Sequence, residues 1–151
     1  MATTNVVQLM DGPTDVVYRY FFKSDGISGE LNNFVLLDPA WLTKGDNTHP
    51  YLPPGPYTSG VFSIQMIQYN LSDFTMEIGF QSANSQSIIA LVPSVDSWLD
   101  FRPLNGMPDL TPYGDSPTGR IICSTNGFAS PGQIGFMVMK VRKNRNSAGL
   151  T

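Results

Sequence analysis

Proline and glycine cut this chain into pieces too short for ordinary helices. Fourteen glycines and twelve prolines are spread through 151 residues. The runs between them are short and apolar, or alternate apolar with polar residues. No window of ten or more residues carries apolar side chains at helical spacing, so the punctuation points to an all-β domain. Residues 16–23 make the clearest strand. Val16, Tyr18, Tyr20 and Phe22 share one face at period two, and Val17, Arg19, Phe21 and Lys23 share the other. Ser24, Asp25 and Gly26 then supply a turn, with Gly26 free to take a positive φ.

Strand character recurs over residues 33–37, 62–70, 75–80, 87–92, 98–102, 121–124 and 135–142. In the 75–80 run Met76, Ile78 and Phe80 are predicted inward, and Thr75, Glu77 and Gly79 outward. Residues 70–74 are predicted to close a hairpin. Two longer proline-bearing loops, residues 39–60 and 103–119, interrupt the pattern, since neither a helix nor a central strand survives that proline density. About eight short antiparallel strands in one domain predict a jelly-roll-like β-sandwich. An immunoglobulin-like sandwich is the close alternative, but its Cys…Trp…Cys pattern is absent. The whole chain, 1–151, reads as one domain. Residues 1–10 and 144–151 are expected to be extended or frayed ends.

Charge narrows the function classes. Only 14% of residues are charged, against roughly 25% in an average soluble protein. Such a surface suits a chain that lives in an assembly. A net charge of −3 argues against a surface that grips nucleic acid, which requires a basic field. No apolar run reaches the roughly 20 residues of a membrane span. The opening Met1-Ala-Thr-Thr-Asn5 lacks the basic and apolar regions of a signal peptide. A cytosolic site of synthesis and assembly is therefore expected.

Few residues are available for chemistry. The single histidine, His49, precedes Pro50 in the first loop, with Asp46 three positions earlier. The single cysteine, Cys123, sits in the apolar run Ile121-Ile122-Cys123, where a thiol packs as a small hydrophobe. One His and one Cys cannot furnish the four ligands of a structural zinc site. Asp96, Asp100, Asp109 and Asp115 lie in or beside loops, where oxygen donors suit calcium, but no calcium-loop spacing joins them. The only glutamates, Glu30 and Glu77, have nothing that marks them as an acid–base pair. No phosphate-binding glycine loop precedes a helix. The expectation is therefore no enzyme, no cofactor and no metal. Trp41, Trp98 and several tyrosines keep a carbohydrate-binding sandwich open as an alternative. Four of the nine basic residues, Lys140, Arg142, Lys143 and Arg145, are bunched on and after the last strand. They read as a solvated edge guarded by positive charge, or as a contact for an acidic partner.

Two segments carry a resemblance. One is Val16-Val-Tyr-Arg-Tyr-Phe-Phe-Lys-Ser-Asp-Gly26 with the following Gly29-Glu-Leu31. The other is Ser116-Pro-Thr-Gly-Arg-Ile-Ile-Cys-Ser-Thr125, leading into a closing Phe136-Met-Val-Met-Lys-Val-Arg-Lys143 strand. Together they resemble the small jelly-roll cement or decoration proteins on capsids of tailed bacteriophages. The 39–60 segment is longer than in a minimal member, which leaves another virion part, a tail or head–tail adaptor, as an alternative. The resemblance implies a homo-oligomeric virion protein, assembled in the host cytoplasm. Its partners would be the major capsid protein or other virion proteins, and its task to stabilise the shell. Prolines in the loops lower the entropy lost on docking. Trp41, Leu42, Tyr51, Leu52 and Tyr57 in the first loop are expected as contact anchors, with Leu104, Met107, Leu110 and Tyr113 in the second.

Overall fold

The period-two alternation of residues 16–23 is realised as strand β2 (Asp15–Lys23) of a two-sheet sandwich. The computed structural model describes residues 2–12, 14–42, 62–83, 86–92, 96–109 and 117–143. In chain order the remaining strands are β1 (Thr3–Asp11), β3 (Phe34–Leu37), β4 (Phe62–Leu71), β5 (Thr75–Ser82) and β6 (Gln86–Val92). They are followed by β7 (Asp96–Asp100), β8 (Met107–Pro108), β9 (Pro117–Asn126) and β10 (Ile134–Lys143). Single 3-10 turns occupy Pro39–Trp41 and Arg102–Leu104.

The larger sheet runs β1-β2-β10-β4-β7, with β8 beside β4, and the smaller runs β3-β9-β5-β6. All pairings are antiparallel. Four of them nest: β2 with β10, β3 with β9, β4 with β7, and β5 with β6. The chain thus behaves as one long hairpin ribbon, folded so that successive strands pass between sheets.

The inner faces meet in one apolar core. Tyr18, Tyr20 and Phe22 form an aromatic row along β2, with ring centroids 6.2 and 6.3 Å apart. Phe22 meets Phe34 of the other sheet edge-on at 5.7 Å. Tyr20 is fully buried, and its hydroxyl donates to the Leu36 carbonyl at 2.6 Å. A buried hydroxyl requires such a partner, and this one ties β2 to β3 across the sandwich. Met137, Met139 and Val141 of β10 join Ile64, Ile67, Tyr69 and Leu71 of β4 on the same inner face. Gly135 continues that row and needs to be small. A Cβ there would lie 2.7 Å from Phe74 Cζ and 3.1 Å from Leu71 Cδ2.

Four expectations are sharpened or corrected. Of the extended or frayed alternatives for the N-terminal end, residues 3–10 are extended: they belong to β1, an antiparallel edge strand on β2 with a register shift between Gln8 and Met10. Residues 70–74 are a corner between sheets, not a hairpin. Phe74 turns into the core against Phe128 at 4.8 Å. The corner is held by Ser72 N–H donating to the Ile134 carbonyl at 2.9 Å and by Gln133 Nε2 donating to the Asp73 carbonyl at 3.0 Å. Finally, the second loop is shorter than 103–119. Met107–Pro108 pairs with β4, and β9 already begins at Pro117. Gly79, expected outward, is buried. Of the first loop, residues 43–60 lie outside the described residues.

Candidate interaction surface

Because side chains alternate across a strand, the register fixes what lies on the outer face of the larger sheet. One row across β2, β10, β4 and β7 reads Phe21, Phe136, Asn70, Asp96. The next reads Arg19, Val138, Gln68, Trp98, and the third Val17, Lys140, Met66, Asp100. Trp98 is 62% exposed and Phe136 42%, with Ile134 exposed beside them. A soluble monomer gains nothing by presenting a tryptophan and a phenylalanine to water. Large apolar side chains exposed on one sheet face are a feature that protein interfaces use.

Charge on this face is unevenly placed. Arg19, Lys23 and Lys140 stand on β2 and β10, whereas Asp96 and Asp100 stand on β7. Arg102 forks onto Asp100, with Nε to Oδ1 and NH2 to Oδ2 both at 2.8 Å. The Arg102 side chain and its backbone N–H hold the Asp100 carboxyl down at about 2.

The sequence-predicted contact residues divide. Trp41 stays on the surface, 42% exposed, with its ring 6.1 Å from that of Tyr18. Leu104 is 72% exposed at the end of the second 3-10 turn. Leu42, however, is buried in the core, and Met107 packs partly buried against it. Leu42 therefore cannot anchor a partner while the domain is folded. Tyr51, Leu52, Tyr57, Leu110, Tyr113 and Arg145 lie outside the described residues. So do His49, Asp46 and Asp115.

The basic cluster is also divided. Lys140 faces outward, but Arg142 is committed to Asn105, donating from NH1 to Oδ1 and from NH2 to the carbonyl, each at 3.1 Å. Lys143 is not a surface charge at all. Its side chain is buried, and Nζ donates to Asp11 Oδ1 and to the Gly12 carbonyl. Period two contained this information, because Lys143 has the parity of Met137, Met139 and Val141. The same count places Phe21, Phe136 and Val138 on the outer face, a patch that residue-by-residue reading of loops passes over.

Each sheet borders a groove. Val6, Gln8, Tyr18 and Trp41 line one of about 330 Å³, in which Tyr18 Oη donates to Gln8 Oε1 at 3.0 Å. On the smaller sheet, Glu30, Thr75, Glu77, Ser124, Thr125 and Asn126 line another of about 500 Å³. Glu30 is occupied there as a structural clamp, accepting from Thr125 Oγ1 at 2.6 Å and from Gly127 N–H at 2.8 Å. Cys123 is buried, and burial pushes its thiol up to about 12, the opposite of a reactive cysteine. Among the described residues no three His, Cys, Asp or Glu side chains group as metal ligands. No protein-family model matches this chain, and neither a curated protein nor a solved structure matches it significantly.

Proposed function

We propose that this chain is a non-catalytic structural subunit of a virion, a cement or decoration protein that binds the major capsid protein and stabilises the shell as a homo-oligomer. The observation that carries the reading is the outer face of the larger sheet, which presents Phe21, Phe136 and Val138 on β2 and β10 and exposed Trp98 on β7, with basic side chains on β2 and β10 and acidic ones on β7. The nested strand pairs support the finer fold expectation. An eight-stranded ribbon wrapped into two four-stranded layers, β2-β10-β4-β7 and β3-β9-β5-β6, is how a jelly roll is built, and capsid proteins use that fold. The identity of the shell rests on the sequence resemblance.

The test mixes purified protein with expanded shells of the phage that encodes it. Co-sedimentation and a raised shell disruption temperature are expected. Failure to bind shells or any other virion component overturns the reading. Binding confined to tails or the neck moves the protein to the adaptor alternative.

A second reading has its own observation. The exposed Trp41 ring, set beside Tyr18 and the Gln8 amide, offers an apolar platform next to a hydrogen-bonding group. A pyranose stacks its C–H face on such a platform and bonds its hydroxyls to the amide. A glycan array without hits, or unaltered glycan binding by Trp41→Ala, removes it.

A further inference from the structure

We propose that the open edge of β1 takes up an extended segment of a partner protein as an added antiparallel strand, with its apolar side chains seated in the groove beside Trp41. This surface is separate from the outer sheet face, so the inference does not need the partner to be a capsid protein.

Main-chain hydrogen bonding fixes which groups of β1 point outward. Ser24 N–H donates to the Gln133 carbonyl at 2.9 Å, and Lys143 N–H to the Thr14 carbonyl at 2.7 Å. These bonds bracket the β2–β10 ladder, in which Phe22 pairs with Gly135 and Val16 with Val141. Main-chain groups alternate sides along an antiparallel strand. Val16, Tyr18, Tyr20 and Phe22 therefore turn theirs to β10, and Arg19, Phe21 and Lys23 turn theirs to β1. The β1 partners of the latter are Val7, Asn5 and Thr3. Thr4, Val6 and Gln8 are left with N–H and C=O directed away from β2. Among the described residues no strand lies beyond them. Donor–acceptor sites at every second residue, about 6.8 Å apart, match the backbone of an extended peptide.

The edge is also unguarded. Natural edges are blunted by charge, proline or a bulge. From Thr3 to Met10 β1 has neither a charged side chain nor a proline, and its register is unbroken from Thr3 to Gln8. By contrast β7, at the opposite end of the sheet, is five residues long with an aspartate at each end.

The neighbouring side chains say what the added strand must carry. Val6 and Gln8 line the groove of about 330 Å³ with Tyr18 and Trp41. A residue set opposite Val6 or Gln8 puts its side chain on that same face, against the exposed Trp41 ring. The residue after it points to the other face, beside Asn5 and Val7. The occupant that fits is a proline-free extended segment with apolar residues at every second position, the pattern of strand addition. A second copy of β1 is a poor match, because it would bring Val6 flanked by the polar Thr4 and Gln8.

The experiment measures binding to the whole chain of synthetic octapeptides in which Thr alternates with Val, Ile, Leu, Phe, Tyr or Trp. At least one of them is expected to bind at submillimolar concentration. Amide exchange at Thr4 and Val6 should be fast without peptide and slowed with it, whereas Asn5 and Val7 should be protected throughout. Thr4→Pro and Val6→Pro each remove one outward N–H and spare the β1–β2 bonds, and each should weaken binding about tenfold. Unchanged melting would show that both remain folded. A readout without variants is N-methylation of the peptide: at the apolar residues it should abolish binding, and at the Thr residues it should not. Trp41→Ala should weaken the aromatic peptides most. No binding by any peptide of the set overturns the inference, as does binding indifferent to the N-methylated position. Glycan binding that needs Trp41 but tolerates Val6→Pro, with no peptide bound, gives the groove to a sugar and overturns it too. So does self-association that Val6→Pro abolishes in a chain that binds no peptide. A chain that takes the peptide and ignores shells overturns only the virion reading. One that binds shells and no peptide overturns this inference alone.

Discussion

Lys143, the last residue of β10, carries its ammonium into the sandwich to meet Asp11, the last residue of β1, with side-chain exposures of 1% and 8%. Nζ also donates to the Gly12 carbonyl at 2.9 Å, and the Lys143 backbone N–H donates to the Thr14 carbonyl at 2.7 Å. The pair thus staples the β1–β2 turn to the end of the central strand of the larger sheet. A buried ion pair adds little over an apolar replacement, but breaking it strands a charge. Lys143→Ala should cost about 3–5 kcal/mol, read as a lowered denaturant midpoint. The combined Asp11→Leu and Lys143→Met variant should lose much less. Equal losses in the two would mean that packing, not the stranded carboxylate, governs the site.

Gly135 has no room for a methyl group between Phe74 and Leu71. Gly135→Ala should destabilise by about 1–3 kcal/mol, the usual penalty for overpacking. Thermal unfolding checks this, and a compensating Phe74→Leu should recover part of the loss. Stability unchanged by Gly135→Ala would show that the corner at Phe74 yields easily.

The Tyr20 hydroxyl is the polar contact that joins β2 to β3 inside the core. Tyr20→Phe keeps the ring stack with Tyr18 and Phe22 but leaves the Leu36 carbonyl without its donor. The expected loss is about 1–3 kcal/mol, again by chemical unfolding. Protection of the Leu36–Leu37 amides from hydrogen exchange should fall with it if β3 docks through this bond.

Burial raises the Cys123 thiol to about 12, above its value in the unfolded chain. Between those two values the unfolded state has lost the thiol proton and the native state still holds it. The associated stability is therefore intact below the unfolded pKa and is lost as pH rises towards the folded one. Stability should decline from about pH 9 upward, by at most about 1.4 kcal/mol per unit for this group. Tyr20, also raised well above its ordinary value by burial, adds to the decline at higher pH. Cys123→Ala should flatten the first part of the slope. At neutral pH, an aromatic disulfide reagent should label native Cys123 only as fast as the core opens.

Much of the fold was legible from short-range pattern. The alternation over residues 16–23 and 135–142 marks β2 and β10 almost to their ends. β1 has little strand signal in sequence because Thr3–Asp11 has exposed residues on both faces, and an edge strand with little to bury has weak alternation. The 70–74 segment looked like a hairpin because a short polar link between two strands has the same sequence whether they pair or part. Only Phe74, plunging towards Phe128, makes it a corner. The candidate interaction surface was half legible. Parity alone puts Phe21, Arg19, Phe136 and Val138 on solvent faces, yet nothing local says that their two strands are neighbours.

By itself the sequence determined that the chain would be built of strands and which side chains would share each strand's face. It also limited the chemistry, since it contains one histidine and one cysteine. These follow from backbone pleating and residue type, which act over a few positions. Tertiary structure alone decided that β2 lies beside β10, so that Phe21 meets Phe136 outside and Lys143 turns in towards Asp11. Strand pairing between distant segments is chosen by the burial of whole faces, a collective quantity that no single run of residues contains.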